Sequence, residues 1–339
     1  MGIYVNSKNA YALYKKETAK PYFVDKTVLL KELFPLVEEG SHYLCITRPR
    51  RFGKTVMANM VASFFSKGHR ANDVFQNLQI YQDKDYEKYL NKYTVIHIMF
   101  NDLPRNCNSY KQYIDRIEET LIKDLKKEYP DMPIDDQNAV WDTLLEIYAE
   151  KQDIDIVFVF DEWDFIFHQK FVTEDDKLSY LQFLRNLLKD RPYIALVYMT
   201  GILPIAKYSS GSKLNMFVEY TMVEEEKFSD TFGFTDEEVD ELFKRYQERT
   251  ENQYLTREDL SILASEVLEK TKKQIGTDAI DLLSNTYGDI DDYIKTELEN
   301  QLKYMKLQNK NIVSEDEYNE ALKQIEELKK QLNHTVIDK

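Results

Sequence analysis

The stretch 45–56, "CITRPRRFGKTV", ends as a phosphate-binding loop ends. In such a loop Gly53 would let the backbone approach phosphate, Lys54 would reach the β- and γ-phosphates, and the Thr55 hydroxyl would hold a magnesium ion. The usual pattern has a glycine five positions before the second one, and here that position is Arg48, with Arg50 and Arg51 between them. Arginine resists positive φ, and Pro49 disfavours the helical region for the residue before it. The loop is therefore expected to open in an extended conformation and to make its glycine-dependent turn at Gly53. Three arginines would add positive charge beside an anionic ligand, with Arg50 and Arg51 facing phosphate, an acidic partner or solvent. Pro49, Phe52 and Val56 complete the expected nucleotide-binding stretch.

About a hundred residues on, "DIVFVFDEWD" places Asp161 and Glu162 directly after a buried apolar run. Carboxylates at such a strand end are costly unless they meet cations or solvent. In an ATPase site Asp161 would hold magnesium, and Glu162 would orient and activate the attacking water. A third run, "YIALVYMTGI", ends at Thr200 and Gly201. Thr200 either senses the γ-phosphate or is a threonine at a strand end. The expected catalytic residues are thus Lys54, Glu162 and Thr200, the expected metal ligands are Thr55 and Asp161, and the expected ligands are ATP and Mg2+.

Positioning these residues requires strands and helices in alternation. Near-continuous apolar runs at 42–47, 94–100, 155–160 and 193–200 predict strands buried on both faces, and 216–222 is a weaker fifth. Helical spacing marks 26–40, with Asp25 at its N-cap, as well as 54–68, 109–129 and 176–190. Glycines at positions 40 and 68 stand where C-caps would put them. This alternation predicts an α/β fold, a P-loop NTPase core whose mostly parallel sheet is flanked by helices. From about residue 231 the texture changes, opening on a capping box at Thr235 and Glu238. The expected domains are 1–230, an ATPase domain, and 231–339, an all-α region with helical segments at 256–274, 289–306 and 314–333. The last of these carries a stripe of Leu322, Ile325, Leu328 and Leu332, which packs on its own domain or on a partner.

Composition sets outer limits. The formal charge of −15 over 339 residues argues against electrostatic binding of nucleic acid over the whole surface. No apolar run approaches about 18 residues, and the first segment lacks the apolar core of a signal peptide. Asn6 stands where a myristoylation signal wants serine or threonine. A cytoplasmic location with no membrane association is the expectation. Two cysteines and five histidines without ligand spacing argue against structural zinc.

Six blocks, "PYFVDKT" (21–27), "ITRPRRFGKT" (46–55), "VFQNLQI" (74–80), "FVFDEWD" (158–164), "MTGILPIAK" (199–207) and "FGFTDEEV" (232–239), resemble the predicted AAA-ATPase-like proteins of bacteria and some archaea, in the family's order. The arginine-rich loop is the family's most specific mark. The resemblance implies ATP at Arg48 to Thr55, magnesium at Thr55 and Asp161, and hydrolysis through Glu162. It also implies that Asp25 and Lys26 border the nucleotide, where the local reading of Asp25 is a plain helix cap. Trp163 stands where the family usually has tyrosine, and Asp164 either shapes the magnesium site or pairs with an arginine. Members commonly continue into a restriction-endonuclease-like nuclease domain, whose marks this chain does not carry after residue 240.

Two functional readings follow. One is an ATPase whose turnover drives or gates action on a protein or nucleic-acid partner. The other is a nucleotide-gated switch or scaffold with negligible turnover. A third, a DNA-processing component, lacks a nuclease site. Arg185 and Arg191 flank a helix before the Thr200 strand; each is a surface residue or a transition-state cation, which in trans would require a homo-oligomer.

Overall fold

A computed structural model describes residues 2–39, 43–151, 154–208, 214–221 and 227–250. The chain divides into two units, 1–261 and 262–339, and the second lies outside the described residues. The helical segments expected at 256–274, 289–306 and 314–333 lie there too.

Five strands form one sheet: β1 (Tyr43–Thr47), β2 (Thr94–Met99), β3 (Ile156–Asp161), β4 (Ile194–Gly201) and β5 (Val218–Tyr220). Their order is β2-β3-β4-β1-β5, and each adjacent pair is parallel. The helices are α1 (Lys8–Thr18), α2 (Val28–Glu39), α3 (Lys54–Phe65), α4 (Asn72–Phe75), α5 (Tyr86–Tyr89), α6 (Tyr110–Glu128), α7 (Val140–Lys151), α8 (Glu174–Leu188), α9 (Ile205–Tyr208) and α10 (Asp236–Thr250). The expected α/β architecture is present, and all five strands fall where apolar runs placed them. Among the described residues no helix is long and apolar enough to cross a membrane.

Side chains alternate along each strand, so the sheet feeds two cores. Ile156, Phe158 and Phe160 of β3 pack with residues of α6, α7 and α8. Val157 and Val159 face the other way, into a cluster with Leu29, Leu33, Met60 and Phe64 of α2 and α3. In β4, Leu196 and Tyr198 join that second cluster. Continuing the alternation puts Asp161 and Thr200 on the α3 side at the carboxyl ends of neighbouring strands. That is the end from which the loop between β1 and α3 leaves the sheet.

The glycine at position 68 is not the cap of α3. The helix stops at Phe65 because Ser66 turns extended, with φ −66° and ψ 123°, and bridges to Tyr93. Gly68 instead lets Asn6 come close: a Cβ there would lie 2.6 Å from the Asn6 carbonyl oxygen. This contact belongs to an N-terminal strap along the open edge of β2, where Val5 bridges to Ile96. Buried Asp124 accepts the Tyr4 N–H at 2.7 Å to hold the strap.

Candidate nucleotide-binding site

The loop between β1 and α3 has two residues in the left-handed region, Gly53 at φ 82° and Arg51 at φ 72°. The turn at Gly53 is the expected one. The turn at Arg51 is not, since a side chain there costs about 1–3 kcal/mol. The surrounding loop must hold that conformation. Gly53 serves as the N-cap of α3 with no side-chain cap, and the first main-chain bond of the turn runs from Met57 N–H to the Gly53 carbonyl at 3.0 Å. The first N–H groups of α3 have no side-chain acceptor among the described residues, and they carry the positive end of the helix dipole. That is a cradle suited to phosphate.

Lys54 is buried, and its Nζ donates to the carbonyls of Arg48 at 2.8 Å and Pro49 at 2.9 Å. Burial holds its pKa below the usual lysine value, against the carboxylates of Asp161, Asp164 and Glu162, which favour the charged form. Thr55, Val56 and Phe52 are half-buried, while Pro49, Arg50 and Arg51 are exposed. Arg48 is buried, with Nη1 donating to the carbonyls of Thr47 at 2.8 Å and Tyr220 at 2.9 Å.

Opposite this loop, Asp161 ends β3 at 1% exposure. Its Oδ1 accepts from the Thr200 hydroxyl at 2.5 Å. Its Oδ2 is buried without a hydrogen-bond partner among the described residues. A buried carboxylate oxygen left in this way is expensive, and a cation would relieve it. Magnesium commonly takes only one or two protein carboxylates and completes its shell with water and substrate phosphate. The donor set of Asp161 and Thr55 fits such an ion. Among the described residues no group of three or more His, Cys, Asp or Glu side chains forms a self-sufficient metal site.

Glu162 also sits in the left-handed region, at φ 52°, so the chain turns sharply as it leaves β3. Its carboxyl is half-buried, and its pKa is raised first by burial and then by Asp161; a hydrogen bond with Asn101 opposes the rise. Asn101 follows β2, the strand beside β3, and sequence reasoning did not single it out. Its only signal was a polar residue just past a buried run.

The neighbouring acidic and aromatic residues build the frame. Asp164 Oδ2 accepts from the main-chain N–H of Ile202 and of Leu203, each at 3.0 Å, so it caps the turn after β4 rather than pairing with an arginine. Trp163 is fully buried, and its main-chain N–H donates to the Thr200 carbonyl at 3.1 Å. At Gly201 a Cβ would lie 2.5 Å from Trp163 Nε1 and 3.0 Å from Asp164 Oδ1. Gly201→Ala is therefore expected to destabilise the fold by about 1–3 kcal/mol through overpacking. Thermal denaturation checks this, and an unchanged Tm would contradict the close approach.

α2 begins at Val28, so Asp25 lies three residues before it rather than at the expected cap position; its Oδ1 accepts from Thr27 N–H at 2.9 Å and its Oδ2 from Gln79 N–H at 2.6 Å. Lys26 Nζ donates to the Asp230 carbonyl at 2.5 Å and to Glu238 at 2.6 Å. Arg191 Nε donates to the Asn186 carbonyl at 2.6 Å, and Arg185 is half-buried in the last turn of α8. The structure thus brings Lys54, Asp161, Glu162 and Thr200 together at one end of the sheet.

Two comparisons bear on this arrangement. The family described as "Predicted AAA-ATPase" matches residues 13–210, a span holding the loop, the β3 carboxylates and Thr200. Among curated proteins, the chain is similar to an "Uncharacterized protein in vnfD 5'region" of Azotobacter chroococcum mcd 1, 24% identical over 228 residues. That match covers 66% of this chain and 41% of the relative. The chain thus matches about two fifths of that curated relative's length.

Proposed function

Because the chain belongs to the predicted AAA-ATPase family, we propose that it binds ATP with magnesium between α3 and the end of β3 and hydrolyses it to ADP and phosphate. The observation that carries the reading is Asp161 Oδ2, buried without a partner among the described residues and close enough to Lys54 for the Asp161 charge to favour the ammonium form. A buried anion and a buried cation at an uncapped helix start are what a metal–triphosphate complex needs.

The residues then take distinct roles. The main chain from Arg48 to Val56 wraps the phosphates, and Lys54 leaves its two carbonyl acceptors for the β- and γ-phosphates. Thr55 and Asp161 would hold the magnesium ion, which when bound neutralises phosphate charge and polarises the γ-phosphoryl group. The Thr200 hydroxyl fixes the orientation of Asp161. Glu162, held by Asn101, accepts the proton of the attacking water as its oxygen bonds to the γ-phosphorus and the bridging P–O bond to ADP breaks. Arg50 and Arg51, exposed beside the loop, face phosphate or an acidic partner. Turnover would drive or gate action on a protein or nucleic-acid partner.

Asp161→Asn tests the metal role. The variant is expected to need roughly tenfold or more Mg2+ for nucleotide binding, the loss of one charge-assisted contact. A Mg2+ titration with a fluorescent ATP analogue reads this, and an unchanged Mg2+ requirement would refute the assignment. One observation favours the second reading, a switch with negligible turnover: Lys54 and Glu162 are both engaged by their own chain. Phosphate release separates the two readings.

A further inference from the structure

Arg48 stands where the usual loop has its first glycine, yet its side chain makes its contacts inside the protein. It is 3% exposed. Its Nη1 spans the ends of β1 and β5 through the Thr47 and Tyr220 carbonyls, and its guanidinium carbon lies 5.2 Å from the centroid of the Phe232 ring. Its own N–H donates to the Gly201 carbonyl at the end of β4, at 3.1 Å. Its carbonyl accepts Lys54 Nζ at 2.8 Å. One residue therefore joins three strand ends, the loop lysine and the segment that leads into α10.

That segment is tied to the site twice more. A Cβ on Gly233 would lie 3.4 Å from the Phe52 ring, in ordinary contact, so Phe52 of the loop packs beside Phe232's neighbour. Further on, Lys26 is bonded to the Asp230 carbonyl and to Glu238, and Glu238 accepts the Thr235 N–H at 2.9 Å. Residues 228–238 are thus pinned between the phosphate loop and the start of α2.

A buried guanidinium is tolerated only when its donors are satisfied. Its Nη1 reaches two carbonyls while the guanidinium carbon lies over an aromatic ring, and the planar group makes both contacts at once where a compact ammonium does not. The charge of Arg48 is directed at strand-end carbonyls and an aromatic face. We propose that Arg48 is a positioning residue that couples the phosphate loop to residues 228–238. When phosphate draws Lys54 off the Arg48 carbonyl, the loop start shifts, and the guanidinium carries that shift to Tyr220, Phe232 and α10. The inference rests on the nucleotide reading above.

The test is hydrogen–deuterium exchange of the full chain with and without Mg2+ and a non-hydrolysable ATP analogue, beside binding of a fluorescent ATP analogue. The chains compared are wild type, Arg48→Met, Arg48→Lys and Phe232→Leu, the last a mild change outside the loop that guards against misfolding at Arg48. In wild type, nucleotide is expected to change exchange across 228–238. In all three variants that segment is expected to exchange faster without nucleotide and to stop responding to it, while affinity falls less than about tenfold. Two results would overturn the proposal: wild type that binds nucleotide without any change in 228–238, or affinity lost about 100-fold in Arg48→Met and restored in Arg48→Lys, the mark of a phosphate ligand. If wild type binds no nucleotide, the nucleotide reading and the coupling both fall. Slow exchange of 228–238 in the nucleotide-free variants would remove the tie itself.

Discussion

Lys54→Ala is expected to lose ATP turnover by at least about 100-fold, the scale for removing one charged donor from a developing phosphoryl transition state. The size follows from where Lys54 sits. It is buried, it has carbonyl partners rather than a carboxylate, and it lies within electrostatic reach of Asp161 and Glu162. Alanine removes a cation that the other loop arginines do not replace, since Arg50 and Arg51 are exposed and the buried Arg48 donates to the Thr47 and Tyr220 carbonyls. The fold is expected to survive with some loss of stability, because Pro49 is exposed to water while the buried Arg48 carbonyl loses one donor. Phosphate release together with a melting curve checks both parts, and a folded Lys54→Ala protein that turns over at the wild-type rate would remove Lys54 from the mechanism.

Glu162→Gln is expected to keep ATP bound while hydrolysis falls by about 10²–10⁴-fold, the range for loss of a positioned general base. The amide is close in shape, retains a hydrogen bond to Asn101 and cannot accept the water's proton. Chromatography of the nucleotide recovered from purified protein should yield intact ATP, whereas recovery of ADP would count against the role. The pH dependence has a fixed sign. Burial and Asp161 raise the Glu162 pKa, so the base is lost to protonation as pH falls through that raised value. Turnover should therefore drop on acidification earlier than an ordinary glutamate would give, and the drop should vanish from the residual rate of Glu162→Gln.

Much of the fold was readable in one dimension. Parallel strands covered on both faces are continuous apolar runs, and β1 to β4 are of that kind; β5, with an exposed first residue and a buried last one, gave the weakest signal. The placing of "GKT" at a helix start and of "DE" at a strand end was readable because each is local in sequence. What escaped depends on distant contacts. Asn101 reaches Glu162 only because β2 lies beside β3 in the sheet. The Thr200 hydroxyl reads as a phosphate sensor from position alone, and its bond to Asp161 appears only when β3 and β4 are paired. Gly68 obeys a local capping rule in sequence and a tertiary one in the structure, where Asn6 needs its space. Asp25 is divided between the two: its bond to Thr27 is local although the helix begins later than expected, at Val28, and its bond to Gln79 is tertiary. Arg48 is the largest case, since nothing near it in sequence indicates that Tyr220 and Phe232 receive its side chain.

The claim on which the rest depends is that this site hydrolyses ATP with magnesium. Steady-state phosphate release from ATP by the purified full chain, with Mg2+ and with the metal chelated, tests it most directly. Release is expected to require Mg2+ and to fall to background when the metal is removed. Release at background in the presence of Mg2+, from protein that binds ATP, would contradict it and leave a switch in place of an enzyme.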